Sequence, residues 1–583
     1  MSATDILTLQ HERVDDIPLI IGLAAKLGLP EILDKHLRTH GAQQGLNNGW
    51  LAVVWLAFVP SEGDHRKCAV EEWAQRHART LEVLTGQPLR PVDLADDRLG
   101  GLLTRLSKTP AWECIETDLW KGAVGVYQIE CPSVRLDATT ASGHHTVRTE
   151  GIMQRSACSK DHRPDLPQLK LMAAAADASG YLLASDVVSG ETGDDLLYTP
   201  LAARVRQMLG RTGLLYVGDS KMAALATRAE LVAHGDYYLM PLPLKGETGQ
   251  QYEGWVEAVV EGDQSAALVW DGERLLGAGY EVERQLSAQV DGEWVEWCER
   301  VLVTRSALLA KQQWDGLQER LTKAETALGK LTPAPGPGRR QIQTEETLKA
   351  AVAAVLERYG VQGLLHVRWR SEPWLRRRRG GRAGGEAPGQ ETPVRWVVTA
   401  IERDMETIEQ QHRRLGWRLQ ATNLPVATMA FDQCIRHYRG GWCLEREFHL
   451  VKSRPLGLSP LYVARDDQII GLTRLLTLAL RLYTLIETQV RKGLAEEGEV
   501  LRGLYEGQPK RETGRPTAVS LLKAVARCEI TLTQVTTPDE TRWHLTPLPP
   551  LLQRVLTYMR LPLSLYADLA REHARHLADL PER

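Results

Sequence analysis

Apolar residues repeat with helical spacing through the first part of the chain, change to strand-like runs near residue 126, and return to helical spacing after residue 425. Over residues 1–125 the runs Ile17-Pro-Leu-Ile-Ile-Gly-Leu and Gly49-Trp-Leu-Ala-Val-Val-Trp-Leu-Ala-Phe, the stretch Cys68 to Leu84 and the amphipathic segment Asp93 to Leu106 predict helices. Over residues 126–245, the run Ser133-Val-Arg-Leu-Asp137-Ala-Thr-Thr140 predicts a strand that ends at Asp137, with hydroxyl residues after it. Leu169 to Ala175 and Tyr181 to Val188 predict a hairpin turning at Asp177-Ala-Ser-Gly180, with Asp177 as a turn residue. Asp194 and Asp195 suit the N-cap and first turn of a helix from Leu196 to Leu209. A strand Gly213 to Val217, a helix Ala223 to His234 and a strand Tyr237 to Met240 follow.

Residues 246–412 read as a β-rich insertion with helices. Strands are expected at Ala266 to Trp270, Glu281 to Arg284 and Val301 to Thr304, with hairpin turns at Asp271-Gly and Asp291-Gly, and helices at Trp314 to Lys330 and Thr344 to Tyr359. An Arg and Gly loop with Arg376, Arg377, Arg378 and Arg379 beside Trp374 follows; it suits either a solvated loop or a nucleic-acid contact, in which guanidinium groups meet phosphates and an indole stacks on a base. Over residues 413–495 a strand Gly416 to Asn423 leads into a helix in which Phe431, Ile435, Tyr438, Trp442, Glu445 and Phe448 form one stripe at about 3.6 residues per turn. Residues 496–583 read as a charged helix, a loop around Pro509 to Pro516 and a small helical region.

Composition narrows the class. A chain of 583 residues is too long for one core, and 43% hydrophobic with 25% charged residues is ordinary for a soluble globular protein. The net charge of −3 confines any basic surface to local patches. The eight cysteines form no CxxC pair or zinc-ligand spacing and read as reduced, mostly packed thiols in a cytoplasmic protein. No charged-then-apolar leader is recognisable at the N-terminus, and the apolar stretch Gly471 to Val490 carries Arg474 and Arg481, so it is expected to be a core helix and not a membrane span.

The chemistry lies in three carboxylates. Asp137 and Asp219 each sit at the C-terminal end of a predicted strand, where open α/β sheets place ligands, and Glu445 sits on the aromatic stripe. Tyr438, Glu445 and Lys452 are spaced by seven residues, so on one continuous helix they share a face; Glu447 points elsewhere and is set aside. His144 and His145 are read as incidental.

On these residues the chain resembles the DDE transposases of bacterial insertion sequences, more narrowly the insertion-sequence-four superfamily and the neighbouring sixteen-thirty-four group. Their signature runs tyrosine, two residues, arginine, three residues, glutamate, six residues, lysine; Tyr438, Glu445 and Lys452 match, and Gly441 stands where the arginine belongs. Arg439 and Arg446 are the nearest alternatives for its phosphate contact. The resemblance covers about residues 10–570 and implies an α/β, RNase H-like catalytic core (residues 126–245 and 413–495) interrupted by a mainly β insertion, with helical N- and C-terminal regions. The N-terminal region would serve DNA-end binding or dimerisation, with Arg66, Lys67 and Arg105 as candidate phosphate contacts.

The resemblance further implies that Asp137, Asp219 and Glu445 hold two Mg²⁺ or Mn²⁺ ions, and that Tyr438, Arg439 and Lys452 position DNA. The expected activity is cut-and-paste transposition: cleavage at the terminal inverted repeats and joining of the 3′-hydroxyl ends to target DNA. The expected partners are double-stranded DNA and a second copy of the chain in a synaptic homodimer, in the cytoplasm and on the nucleoid when bound. The alternatives are a domesticated transposase that binds DNA with impaired catalysis, and another RNase H-like nuclease. A stacking tryptophan would come from Trp255, Trp270, Trp294, Trp297, Trp369 or Trp374.

Overall fold

We describe the protein from a computed structural model covering residues 8–38, 44–144, 151–154, 163–336, 339–373, 394–441, 443–538 and 540–571. Trp374, Arg376 to Arg379, His145 and Trp442 lie outside the described residues. The chain forms two compact units: Met1–Met240 with Ser287–Glu296 and His437–Arg583, and Pro241–Leu286 with Trp297–Arg436.

The first unit is built on five strands: β1 (Ser133–Ser142), β2 (Gln168–Ala176), β3 (Leu182–Ser189), β4 (Leu215–Val217) and β5 (Tyr237–Pro241). Their order is β3-β2-β1-β4-β5. β1, β2 and β3 pair antiparallel, whereas β4 runs parallel to β1 (Arg135 opposite Val217) and β5 parallel to β4. Three antiparallel strands at one edge continued by two parallel ones is the RNase H-like arrangement, so the core has the expected α/β fold. Every residue of β2 is buried, as in a sheet covered on both faces.

Four helices frame this sheet. They are α1 (Thr109–Tyr127), α2 (Asp195–Leu209), α3 (Leu225–Ala233) and, near the C-terminal end, the 32-residue α6 (Asp466–Glu497). One buried carboxylate ties three of them to edge strand β3. Glu116 on α1 accepts from Arg481 of α6 at 2.6 Å, from Arg204 of α2 at 3.1 Å and from the Ser185 hydroxyl at 2.8 Å. Helix α6 is long and apolar enough by composition to cross a membrane, yet 94% of its most apolar window is buried inside the fold. Its two mid-helix arginines both donate to backbone carbonyls within the fold: Arg474 to the Leu106 carbonyl at 2.9 Å and Arg481 to the Leu182 carbonyl at 3.0 Å. Gly471 lets the helix Asp96–Leu106 approach closely, since a Cβ there would lie 2.7 Å from Leu103 Cα.

The terminal regions differ from a purely helical expectation. Thr8–Arg13 pairs with Thr531–Thr536, which pairs with Thr541–Leu545, so both chain ends share a small antiparallel sheet. The alternating, Thr-rich run Thr531-Leu-Thr-Gln-Val-Thr carried that strand signal.

The second unit has its own core, in which Leu317, Leu321 and Leu328 of helix Ala307–Leu331 pack with Leu348 and Val352 of helix Glu345–Tyr359. The antiparallel pair Leu365–Pro373 and Val394–Arg403 lies in the same unit. So do strands Ala267–Asp271 and Trp417–Thr422 and helices Gly246–Glu261 and Met405–Arg413, so this part of the chain carries helices beyond those expected. The turn at Asp291 and Gly292, in the segment Ser287–Glu296 that belongs to the first unit, has positive φ at both positions (50° and 88°), the geometry an Asp-Gly hairpin turn requires.

Candidate active site

The signature segment is not one helix. It divides into α4 (Phe431–Arg439) and α5 (Cys443–Lys452), with Gly440 and Gly441 in the break. Two adjacent glycines weaken a helix by roughly 1 kcal/mol each relative to alanine, which is where the continuous stripe fails. Tyr438 therefore stands on a different helix from Glu445 and Lys452, and the three do not share one helical face.

On α5 the buried positions are Leu444, Glu447, Phe448 and Val451, one turn-to-turn face; Glu445 is exposed. The expectation of Glu445 in an apolar stripe is thus displaced by two positions. The buried acid is Glu447, which takes Arg446 at 2.8 Å and the Thr484 hydroxyl of α6 at 3.1 Å. Burial raises its carboxyl to about 7 despite the neighbouring guanidinium. Glu447 is a packing residue between α5 and α6, and Arg446, ion-paired to Glu447 and Glu487, is committed there as well.

Glu445 instead lines an open pocket of about 400 Å³ together with Asp137, Thr139, His449 and Lys452. The carboxylates of Asp137 on β1 and Glu445 on α5 and the ammonium of Lys452, two turns further along α5, thus line one cavity. Asp137 lies mid-strand in the antiparallel pairing, opposite Ala173, but two residues beyond Arg135 opposite Val217, the last parallel pair. Asp219 likewise lies two residues beyond Val217. Both aspartates therefore leave the C-terminal edge of the β1–β4 ladder, the edge at which α/β sheets bind ligands.

A residue unmarked by any sequence signal joins them. Tyr198 of α2 is 1% exposed and donates its hydroxyl to Asp219 Oδ1 at 2.6 Å, while the Lys221 amide donates to the same oxygen at 2.8 Å. Burial first, then the negative charges of Asp219 and Asp137, push the Tyr198 phenol far above its ordinary range, so it stays a donor at any accessible pH. Asp194 sits at the N-cap position of α2 but makes no capping bond; it pairs with Lys170.

Asp177 closes the β2–β3 turn as expected and does more. Its carboxylate takes Arg135 Nε at 2.6 Å and lies 3.1 Å from His437 Nε2, and its carbonyl accepts from the Cys443 thiol at 3.4 Å. Although burial pushes the carboxyl up, His437 and Arg135 outweigh it and hold it at about 2. Arg135 also lies over the Tyr438 ring, 5.9 Å from its centroid. Arg439 ends α4 half-buried. Of the N-terminal cations, Arg66 pairs with Asp64 at 2.7 Å and Lys67 with Asp96 at 3.0 Å. Among the candidate tryptophans, Trp270 and Trp294 are 45% and 67% exposed, and Trp297 is buried.

Asp137, Asp219 and Glu445 are all-oxygen donors, the set that suits a hard divalent cation. Among the described residues, no three His, Cys, Asp or Glu side chains are gathered closely enough to hold one ion.

No known protein family matches the sequence, and no curated protein matches it. Among solved structures, a cryo-EM structure of the piggyBac transposase synaptic complex with hairpin DNA overlaps 96% of this chain and 84% of its own, with a TM-score of 0.31 and 7% identity. The core topology stands on its own strand pairing.

Proposed function

We propose that this chain is a DNA transposase of the DDE type, of the insertion-sequence-four superfamily or the sixteen-thirty-four group. In this reading it binds the terminal inverted repeats of its element, cleaves them and joins the 3′-hydroxyl ends to target DNA. The observation that carries the reading is the pocket lined by Asp137, Glu445 and Lys452 in an RNase H-like sheet whose neighbouring parallel strand ends two residues before Asp219.

Asp137, Asp219 and Glu445 would hold two Mg²⁺ or Mn²⁺ ions, which supply an activated water and offset charge on the leaving oxygen. Tyr198 keeps Asp219 oriented with one oxygen committed to a hydrogen bond. Lys452, on the pocket wall, meets a backbone phosphate as a point charge. Cutting both ends together calls for a homodimer, acting on DNA in the cytoplasm.

The test uses linear duplex carrying the DNA that flanks the coding sequence, with Mg²⁺ or Mn²⁺. Wild type is expected to nick at the element's ends. Asp137→Asn, Asp219→Asn and Glu445→Gln are each expected to lower the rate by roughly 10²–10⁴-fold, the range for a positioned catalytic group, while still retaining the duplex in a gel shift. A wild type that leaves the ends intact sinks the reading; an unaffected Glu445→Gln sinks the assignment of the third acid.

A further inference from the structure

We propose that Arg135 is a positioning residue for this site: its guanidinium, anchored on Asp177, occupies the room left open at Gly441 and sets where α5, with Glu445 and Lys452, begins. This rests on the pocket reading above only for what α5 carries; the interlock is independent of it.

The break between α4 and α5 opens on Gly440 and Gly441. Two glycines supply no side chain, and neither helix continues through them. The fixing groups come from the sheet. Arg135, 7% exposed on β1, donates Nε to Asp177 at 2.6 Å and one terminal nitrogen to the His437 carbonyl at 3.4 Å, so a single planar fork spans the β2–β3 turn and the end of α4. His437 returns to Asp177, and Cys443, the first residue of α5, donates its thiol to the Asp177 carbonyl. Both helices are thereby tied to one turn of the sheet.

The missing side chain at 441 is part of the same arrangement. A Cβ built on Gly441 would overlap the guanidinium carbon of Arg135, whose position cannot give without breaking the Asp177 pair. Any larger residue at 441 and an arginine at 135 are therefore mutually exclusive. The Arg135 guanidinium beside the Tyr438 ring is delivered by the strand. Arg135 also sits two residues before Asp137 on the same strand, so the residue that holds the helix break is rigidly coupled to the first acid.

The experiment is a guanidinium swap in the full-length protein: Gly441→Arg, Arg135→Ala and the double variant, with Arg135→Lys as a folded fallback. Hydrogen exchange over residues 431–452 is read first, because it needs no DNA. Each single variant is expected to lose protection across α5, and the double, which moves one guanidinium from strand to helix beside Asp177, to regain most of it. In the nicking assay Arg135→Lys is expected to lower turnover by roughly tenfold to hundredfold, the cost of a misplaced reacting group, with duplex affinity within about twofold of wild type. The proposal is overturned if Arg135→Ala leaves α5 as protected as wild type, or if the double is no better than the worse single variant. Failure of wild type to nick would count against the transposase reading alone, since the exchange result still decides the interlock.

Discussion

Replacing Tyr198 by Phe isolates a single oxygen at the heart of the candidate site. The ring of Tyr198 is packed on α2 and 1% exposed, so Phe keeps the packing and removes only the donor that reaches Asp219 Oδ1 at 2.6 Å. A hydrogen bond to a charged group contributes about 1.5–3 kcal/mol. Asp219 is half-buried and keeps the Lys221 amide at 2.8 Å, so water and that amide recover part of the loss. The expected net cost is about 1–2 kcal/mol, a melting shift of a few degrees at most for a unit of this size. The functional cost is larger in proportion, because the hydroxyl orients a carboxylate: losing a partner of a metal-holding side chain lowers metal affinity or activity by about 10–100-fold. Mn²⁺ binding followed by electron paramagnetic resonance and end nicking against Mg²⁺ concentration measure both effects. Tyr216→Phe is the control, since that phenol donates to the Ala202 carbonyl at 3.0 Å and its charged neighbours are Asp236 and Arg206, not the candidate acids; it is expected to lower stability without changing the Mn²⁺ curve. Mn²⁺ binding and nicking of Tyr198→Phe both within twofold of wild type would refute the role assigned to this hydroxyl.

Two further outcomes follow from the packing around the site. Asp177 is held at about 2, against its usual 3.8, so the charged form contributes about 2 kcal/mol that is fully present above pH 4 and lost as pH falls through about 2. The stability difference between wild type and Asp177→Asn, measured by urea unfolding at a series of pH values, is expected to shrink over that window; a difference flat from pH 5 to pH 2 contradicts the ion pair. Gly471→Ala, where the added carbon would lie 2.7 Å from Leu103 Cα, is expected to destabilise the first unit by about 1–3 kcal/mol, and an unchanged urea midpoint would show that the two helices can part without cost.

What could be read in advance was what local spacing controls. The strands of the core, the β2–β3 turn at Asp177, the Asp-Gly hairpin turn and the buried arginine-bearing helix all follow from periodicity and turn chemistry within a dozen or so residues. The helix break was written in the sequence too, as Gly440 and Gly441, but the seven-residue spacing of Tyr438, Glu445 and Lys452 argued for continuity and the glycines prevailed. With the break, the phase of α5 shifted, and the acid on its buried face proved to be Glu447.

By itself, then, the sequence determined which segments become strands and helices and which residue types could do phosphodiester chemistry, because those depend on nearest neighbours along the chain. Only the tertiary structure decided which of them meet. Asp137 and Glu445 are brought to one pocket by a sheet edge and a helix hundreds of residues apart, Tyr198 reaches Asp219 across a crossover helix, and Arg135 occupies the space above Gly441. Those contacts depend on how buried surfaces fit together, and no period along the chain encodes them.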